Sequence, residues 1–203
     1  PLSIIMLGDK WHRQMSKMTS GLSFDEKLFK RPKRMTDFLH SKNIRLVVKV
    51  NPLEGISKDE DYFLPFKNAS GLEGDIKLPF NVFNKNVLSA YFDYLIHPLM
   101  NYGVDFFWID YDNINDRTNL RALTHYHFND FKQITNRRGI TLARNALIAA
   151  HRYPIHYTGE TVVSWKNLEL LPTYNSTASN LGLSWISNDI GGYTDGIEDG
   201  ELY

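Results

Sequence analysis

The chain has 203 residues, 42% of them hydrophobic and 13% aromatic, which is enough apolar material for one sizeable packed domain and too much for a disordered one. Its 23 Lys and Arg balance its 23 Asp and Glu, so no net charge points to a nucleic-acid partner or an anionic membrane surface. It has no cysteine, which excludes disulfides and thiolate chemistry, and its apolar runs fall far short of the roughly 20 residues that a membrane span needs.

Pro1 to Leu7 carries neither the basic region nor the cleavage site of a signal peptide, which together with the absent cysteine leans toward the cytoplasm. Ser3 to Leu7 reads as a strand that starts at once, as if the chain had been cut out of something longer. Phe29 to His40 has helical spacing, with Phe29, Met35, Phe38 and Leu39 able to share a face and Pro32 in the first turn, where its missing N–H does no harm. Leu46 to Val50 is the next strand, stopped by Asn51 and Pro52. Leu53 to Phe83 reads as a loop-rich stretch with scattered Gly and Pro, and loops of that length are usually functional or disordered. Asn86 to Tyr102 predicts a helix with Val87, Tyr91, Tyr94, Leu95 and Leu99 near one face, kinked or ended by Pro98 and stopped by Gly103. Val104 to Ile109 is an apolar strand that ends in Asp110.

A polar loop from Asp112 to Asn119 leads into a helix over Leu120 to Asn136. Thr141 to Ala143 is a strand ending at Arg144, and His151 to Thr158 is an extended piece around Pro154. Ser164 to Tyr174 reads as partly helical. Leu181 to Ile186 is the last strand, ending at Asn188 and Asp189 with Gly191 and Gly192 in the turn, and Glu198 to Tyr203 reads as the start of a helix. Strands that alternate with helices imply an α/β fold whose parallel strands are joined by crossovers. No internal repeat or interdomain linker divides it. In such folds the chemistry sits at the carboxyl ends of strands, on the loops that follow. Asp110, Arg144 and Asp189 all stand there, and Glu160 follows one such end closely.

Each of these residues has a functional and an ordinary reading. Asp110 is either a nucleophile or general base, or a cap of the next loop. Glu160, in His156-Tyr-Thr-Gly-Glu160, is either the second carboxyl that glycoside hydrolysis needs or a solvated loop residue. Arg144 is a donor to a sugar hydroxyl or to Asp110, or a salt bridge on a barrel rim. Asp189 binds hydroxyls, or it hydrogen-bonds its own turn. Metal sites are poorly supported: His125 and His127 are two apart, His151 and His156 five apart, and neither pair has the i, i+4 spacing of a zinc-binding helix. There is no Gly-rich phosphate loop and no Gly-x-Ser-x-Gly elbow.

Taken together, the segments resemble glycoside hydrolase family 31, the α-glucosidase and α-xylosidase group. Phe107-Trp-Ile-Asp110 resembles the family's nucleophile motif. Arg144-Asn-Ala-Leu-Ile-Ala-Ala-His-Arg-Tyr-Pro-Ile-His-Tyr-Thr-Gly-Glu160 resembles its Arg-to-acid segment with the same spacing, and Trp165 falls where a Trp usually follows the acid. Asn188-Asp-Ile-Gly-Gly-Tyr193 resembles the Asp-Ile-Gly-Gly-Phe signature, and upstream Trp11-His12 and Val48-Lys-Val-Asn-Pro52 echo earlier strand ends.

The resemblance implies a parallel (β/α)8 TIM barrel, here incomplete, with residues 1–203 forming a partial catalytic barrel domain of about six strands, the second to the seventh. It implies a retaining α-glycoside hydrolase, most simply α-glucosidase-like, with α-xyloside as the alternative substrate and no metal or organic cofactor. Asp110 would be the nucleophile and Glu160 the acid/base. Arg144 and Asp189 would bind the sugar, and Trp108, Tyr111 and Tyr157 would line its subsite. The family usually has Asp at the acid/base position, where Glu160 is one methylene longer, and it usually has Met-Asn-Glu after the nucleophile, where this chain has Tyr111-Asp-Asn113. The family's substrate-binding Asp at the first strand has no clean match, and Asp9 is left unassigned. The rival reading is a non-catalytic barrel fragment or sugar-binding module, whose open barrel edges would invite self-association.

Overall fold

In the computed structural model, which describes residues 2–13, 20–110, 117–144, 149–197 and 199–203, strands and helices alternate as the sequence predicts. β1 (Ile4–Leu7) leads to α1 (Pro32–Ser41), β2 (Arg45–Val50), β3 (Ile56–Ser57), α2 (Phe63–Ser70) and β4 (Lys77–Leu78). Then come α3 (Lys85–Tyr91), α4 (His97–Asn101), β5 (Phe106–Ile109), α5 (Arg117–Thr135) and β6 (Leu142–Arg144). β7 (His156–Tyr157), α6 (Trp165–Asn180) and β8 (Ile186–Ser187) complete the order. Six strands form one curled sheet in the order β1-β2-β5-β6-β7-β8, every pair parallel, which is an incomplete (β/α) barrel. β3 and β4 form a separate antiparallel pair.

The apolar composition of β2 follows from burial on both faces, as parallel sheets require. Leu46, Val48 and Val50 point outward and pack with Leu39, Leu95, Leu99 and Leu123 of the helices. Val47, one residue out of phase, faces the other way and packs with Phe106, Leu142 and Tyr157. Each such side chain contributes about 1.5–3 kcal/mol on burial. At the β1 edge the inner face is uncovered: Met6 pairs in register with Val47, yet Ile4 and Met6 are 39% and 47% exposed.

The helices follow local rules, and several elements depart from the sequence reading, among them the last strand, read over Leu181 to Ile186 and found at Ile186–Ser187. Asn84 caps α3 by accepting from the Asn86 and Val87 amides, and of the two outcomes read at Pro98, a kink or an end, the helix does not end there but runs on to Asn101. A π-turn over Phe92–Ile96 precedes the proline, whose missing N–H would otherwise interrupt the α-helical ladder. The stretch read as loop holds the β3–β4 pair and α2, elements too short for periodicity to reveal. α6 continues past Tyr174 to Asn180 with Pro172 inside it, and at the chain end Asp199 to Tyr203 makes only one turn, closed by the Tyr203 amide on the Asp199 carbonyl at 3.2 Å. Gly103 ends the α4 segment at φ +99°, where a Cβ would stand 2.6 Å from Thr36 Oγ1, so glycine is required both by conformation and by space.

Candidate active site at the carboxyl ends of the strands

The loops after β1 and β2 are stitched together before they reach the site. Trp11 donates its indole N–H to the Lys49 carbonyl at 3.0 Å, and Arg13 pairs with Asp61 at 2.7 Å. Glu60 is buried and accepts from Ser20 Oγ at 2.5 Å and from the Leu22 amide at 3.3 Å. Burial pushes the Glu60 carboxyl up, while the bonds from Ser20, Ser23 and Leu22 and the His12 charge pull it down; burial prevails.

Asp110 follows β5 directly and is only 2% exposed. Among the described residues two cations hold it. Lys49 Nζ, from the inner face of β2, lies 2.9 Å from Oδ2, and Arg144, the last residue of β6, brings a guanidinium nitrogen to 3.8 Å from Oδ1. Neither carboxylate oxygen receives a well-aligned hydrogen bond among the described residues, so charge rather than directed bonding fixes it. Lys49 also pairs with Asp9 at 2.7 Å and lies 5.1 Å from the centre of the Trp108 ring. Burial alone would lower the Lys49 pKa, but the two carboxylates overcome it and raise it, so the ammonium stays charged.

A second group of residues adjoins the first. The Trp108 and Tyr157 rings meet edge to face at 5.4 Å. Tyr157 donates its hydroxyl to Asp189, 3.0 and 2.9 Å from the two oxygens, and the Thr161 amide donates to Asp189 Oδ2 at 3.3 Å. Burial first, then the bond to Asp189 and the charges of Asp189 and Glu160, push the Tyr157 phenol well up, with Arg144 opposing. Tyr157 is thus a neutral donor. Gly159, at φ +93°, packs against Arg144; a Cβ there would stand 3.0 Å from Arg144 Nε, so the backbone leading to Glu160 lies on the guanidinium that faces Asp110. Glu160 itself is exposed. The loop after β8 folds onto this one, with the Tyr193 amide on the Thr161 carbonyl at 2.8 Å. Gly192 sits so close to Val163 that a Cβ would approach its Cα to 2.5 Å.

Asp110, Arg144, Trp108, Tyr157 and Asp189 therefore form one connected cluster, and Glu160 stands at its exposed rim. Tyr111 lies outside the described residues. The sequence reading missed Lys49, although a lysine in an otherwise apolar strand was a signal, and it left Asp9 unassigned. Among the described residues no group of three or more His, Asp or Glu side chains is placed to hold a metal ion. No helix among them is long and apolar enough to cross a membrane.

The family model for the glycosyl hydrolases family 31 TIM-barrel domain matches residues 1–203. The chain is 22% identical over 231 residues to an α-xylosidase of Saccharolobus solfataricus, covering 100% of this chain and 30% of that protein. It is 22% identical over 212 residues to neutral α-glucosidase C of Homo sapiens, covering 84% of this chain and 23% of that protein. Among solved structures, a family 31 α-xylosidase from Xanthomonas citri superposes with a TM-score of 0.74 at 17% identity, covering 95% of this chain and 25% of that one. A Flavobacterium johnsoniae family 31 dextranase complexed with glucose gives 0.75 at 17% identity, covering 100% and 30%. The chain thus spans less than a third of the length of each of these relatives. With a family model matched from end to end, and with the strand order in place, the chain belongs to glycosyl hydrolase family 31, within its TIM-barrel domain.

Proposed function

We propose that the protein containing this chain hydrolyses α-linked glycosides with retention of configuration, α-glucosides first and α-xylosides as the alternative, and that residues 1–203 form a partial catalytic barrel domain. The observation that carries this reading is the buried Asp110 carboxylate, held between Lys49 and Arg144 at the strand ends, with the Glu160 loop packed on the same Arg144. Asp110 attacks the anomeric carbon while Glu160 protonates the departing oxygen, giving a glycosyl ester. Glu160 then takes a proton from water, which displaces the ester. Arg144 and Asp189 bind sugar hydroxyls, with Asp189 oriented by Tyr157, and Trp108 and Tyr157 line the subsite.

The partner is a carbohydrate, and no cofactor enters the steps. Lys49 and Arg144 stand beside the Asp110 carboxylate, and the ring pair of Trp108 and Tyr157 offers an apolar wall for a pyranose. The bare β1 edge, with Ile4 and Met6 uncovered, also makes self-association of the isolated chain expected; sedimentation should find it above the monomer mass. A panel of aryl α-glycosides tests the function on the intact protein. Cleavage of an α-glucoside or α-xyloside that disappears in Asp110→Ala supports it, and undiminished turnover by Asp110→Ala overturns it.

A further inference from the structure

β2 is apolar and fully buried at Leu46, Val47, Val48 and Val50, yet its fifth residue is Lys49, with a side chain only 15% exposed. A buried ammonium is tolerated only when paired. This one has two partners from the two neighbouring strands: Asp9 beyond β1 at 2.7 Å and Asp110 beyond β5 at 2.9 Å. One carboxylate would suffice to neutralise it. The second needs a reason, and the proposed chemistry supplies one, because it consumes the charge on Asp110.

Resting on the function proposed above, we infer that Lys49 is the positioning residue of the nucleophile, holding Asp110 Oδ2 so that Oδ1 attacks, with Asp9 as its permanent counter-ion. Among the described residues Oδ1 receives no hydrogen bond, and the Arg144 nitrogen paired with it stands at 3.8 Å, so Oδ1 is the oxygen that reacts. Its lone pair forms the bond to the anomeric carbon. The glycosidic C–O bond breaks, its electron pair leaves with the departing oxygen, and that oxygen takes the Glu160 proton. Asp110 is then a neutral ester whose carbonyl oxygen is Oδ2, still facing Lys49. The ammonium keeps Asp9, so no buried cation is left unpaired while the ester lasts. When water displaces the ester, the carboxylate reforms beside the same ammonium.

The test compares Lys49→Met, Lys49→Arg, Lys49→Ala and Asp9→Asn with Asp110→Ala in the intact protein, on one aryl α-glycoside. Lys49→Met should lower kcat by about 10²–10³-fold, the scale of losing one preorganised electrostatic partner, with KM changed far less. Lys49→Arg should fall between that variant and wild type. Added propylammonium should restore part of the activity of Lys49→Ala, which loss of a merely structural residue would not allow. Asp9→Asn should slow turnover by about tenfold or more. Because the Asp9 side chain is 61% exposed, that variant keeps the question decidable even if Lys49→Met fails to fold. Normal kcat in Lys49→Met or in Asp9→Asn, with Asp110→Ala inactive, overturns the inference and leaves the proposed function standing. An active Asp110→Ala removes the proposed function itself.

Discussion

His127 should make this fold acid-sensitive. It sits on α5 with its ring enclosed by Tyr91, Phe92 and Phe107 at centroid distances of 5.5, 5.1 and 5.4 Å, and it is 3% exposed. The Tyr91 hydroxyl, whose phenol is pushed well up by its own burial, shares a hydrogen bond of 2.9 Å with His127 Nε2. Burial, helped by the nearby His97 charge, lowers the His127 pKa from 6.5 to about 3. The unfolded chain takes up a proton below pH 6.5 and the folded one does not until about pH 3, so stability falls as pH drops through that window. At 1.36 kcal/mol per pKa unit the loss by pH 5 is about 2 kcal/mol, a large share of an ordinary folding stability of roughly 5–15 kcal/mol. His127→Gln keeps a hydrogen-bonding partner for Tyr91 and cannot titrate. Its absolute stability will differ, so the readout is the pH dependence: urea unfolding at pH 7, 6 and 5 should show the wild type losing about 2 kcal/mol more than the variant. His97 contributes with the opposite sign. Its bond to Asp130 raises its pKa, so its stabilisation is full below pH 6.5 and disappears as pH rises through the raised value. That contribution is shared by both proteins and cancels in the comparison. Parallel stability curves for wild type and His127→Gln would refute the reasoning.

Gly192→Ala should lower the melting temperature by several degrees and reduce activity, because φ is +94° and the new Cβ meets the Val163 backbone; a wild-type melting curve would contradict this. Tyr157→Phe releases Asp189 from its hydroxyl donor, and KM for a good substrate should rise severalfold with a smaller change in kcat. Steady-state kinetics check it, and an unchanged KM would mean that Asp189 does not hold the sugar. Glu160→Ala should slow poor leaving groups much more than activated aryl ones, and azide should partly restore turnover and yield an α-glycosyl azide. Normal kinetics on poor leaving groups would place the acid elsewhere.

The central strands were legible because a parallel strand buried on both faces is mostly apolar, as at Leu46, Val47 and Val48 of β2 and at Phe106–Ile109. β3 and β4 were not, since strands of two residues have no period to read, and β8, equally short, was read too early, at Leu181 to Ile186. The helix from Asn86 to Tyr102 was read with a kink or an end at Pro98; it runs on to Asn101 with a π-turn over Phe92–Ile96, and nothing local announces a π-turn. In the candidate site, Asp110, Arg144 and Asp189 were legible from their place after strands. The bond from Tyr157 to Asp189 spans 32 positions and depends on β7 and β8 being neighbours, which no spacing encodes. Lys49 is the instructive miss. Its charge within Arg45–Val50 marked it, but its meaning lay in Asp9 and Asp110, one on each flanking strand end.

The most direct test of Asp110 as nucleophile is to trap the ester. The intact protein is incubated with a fluorinated glycosyl fluoride, which forms the glycosyl-enzyme quickly and releases it slowly, then digested and analysed by mass spectrometry. The expected result is a single glycosyl group on the peptide containing Asp110, at the Asp110 carboxyl. A label on another carboxylate, or turnover with no adduct and an inverted product, would contradict it.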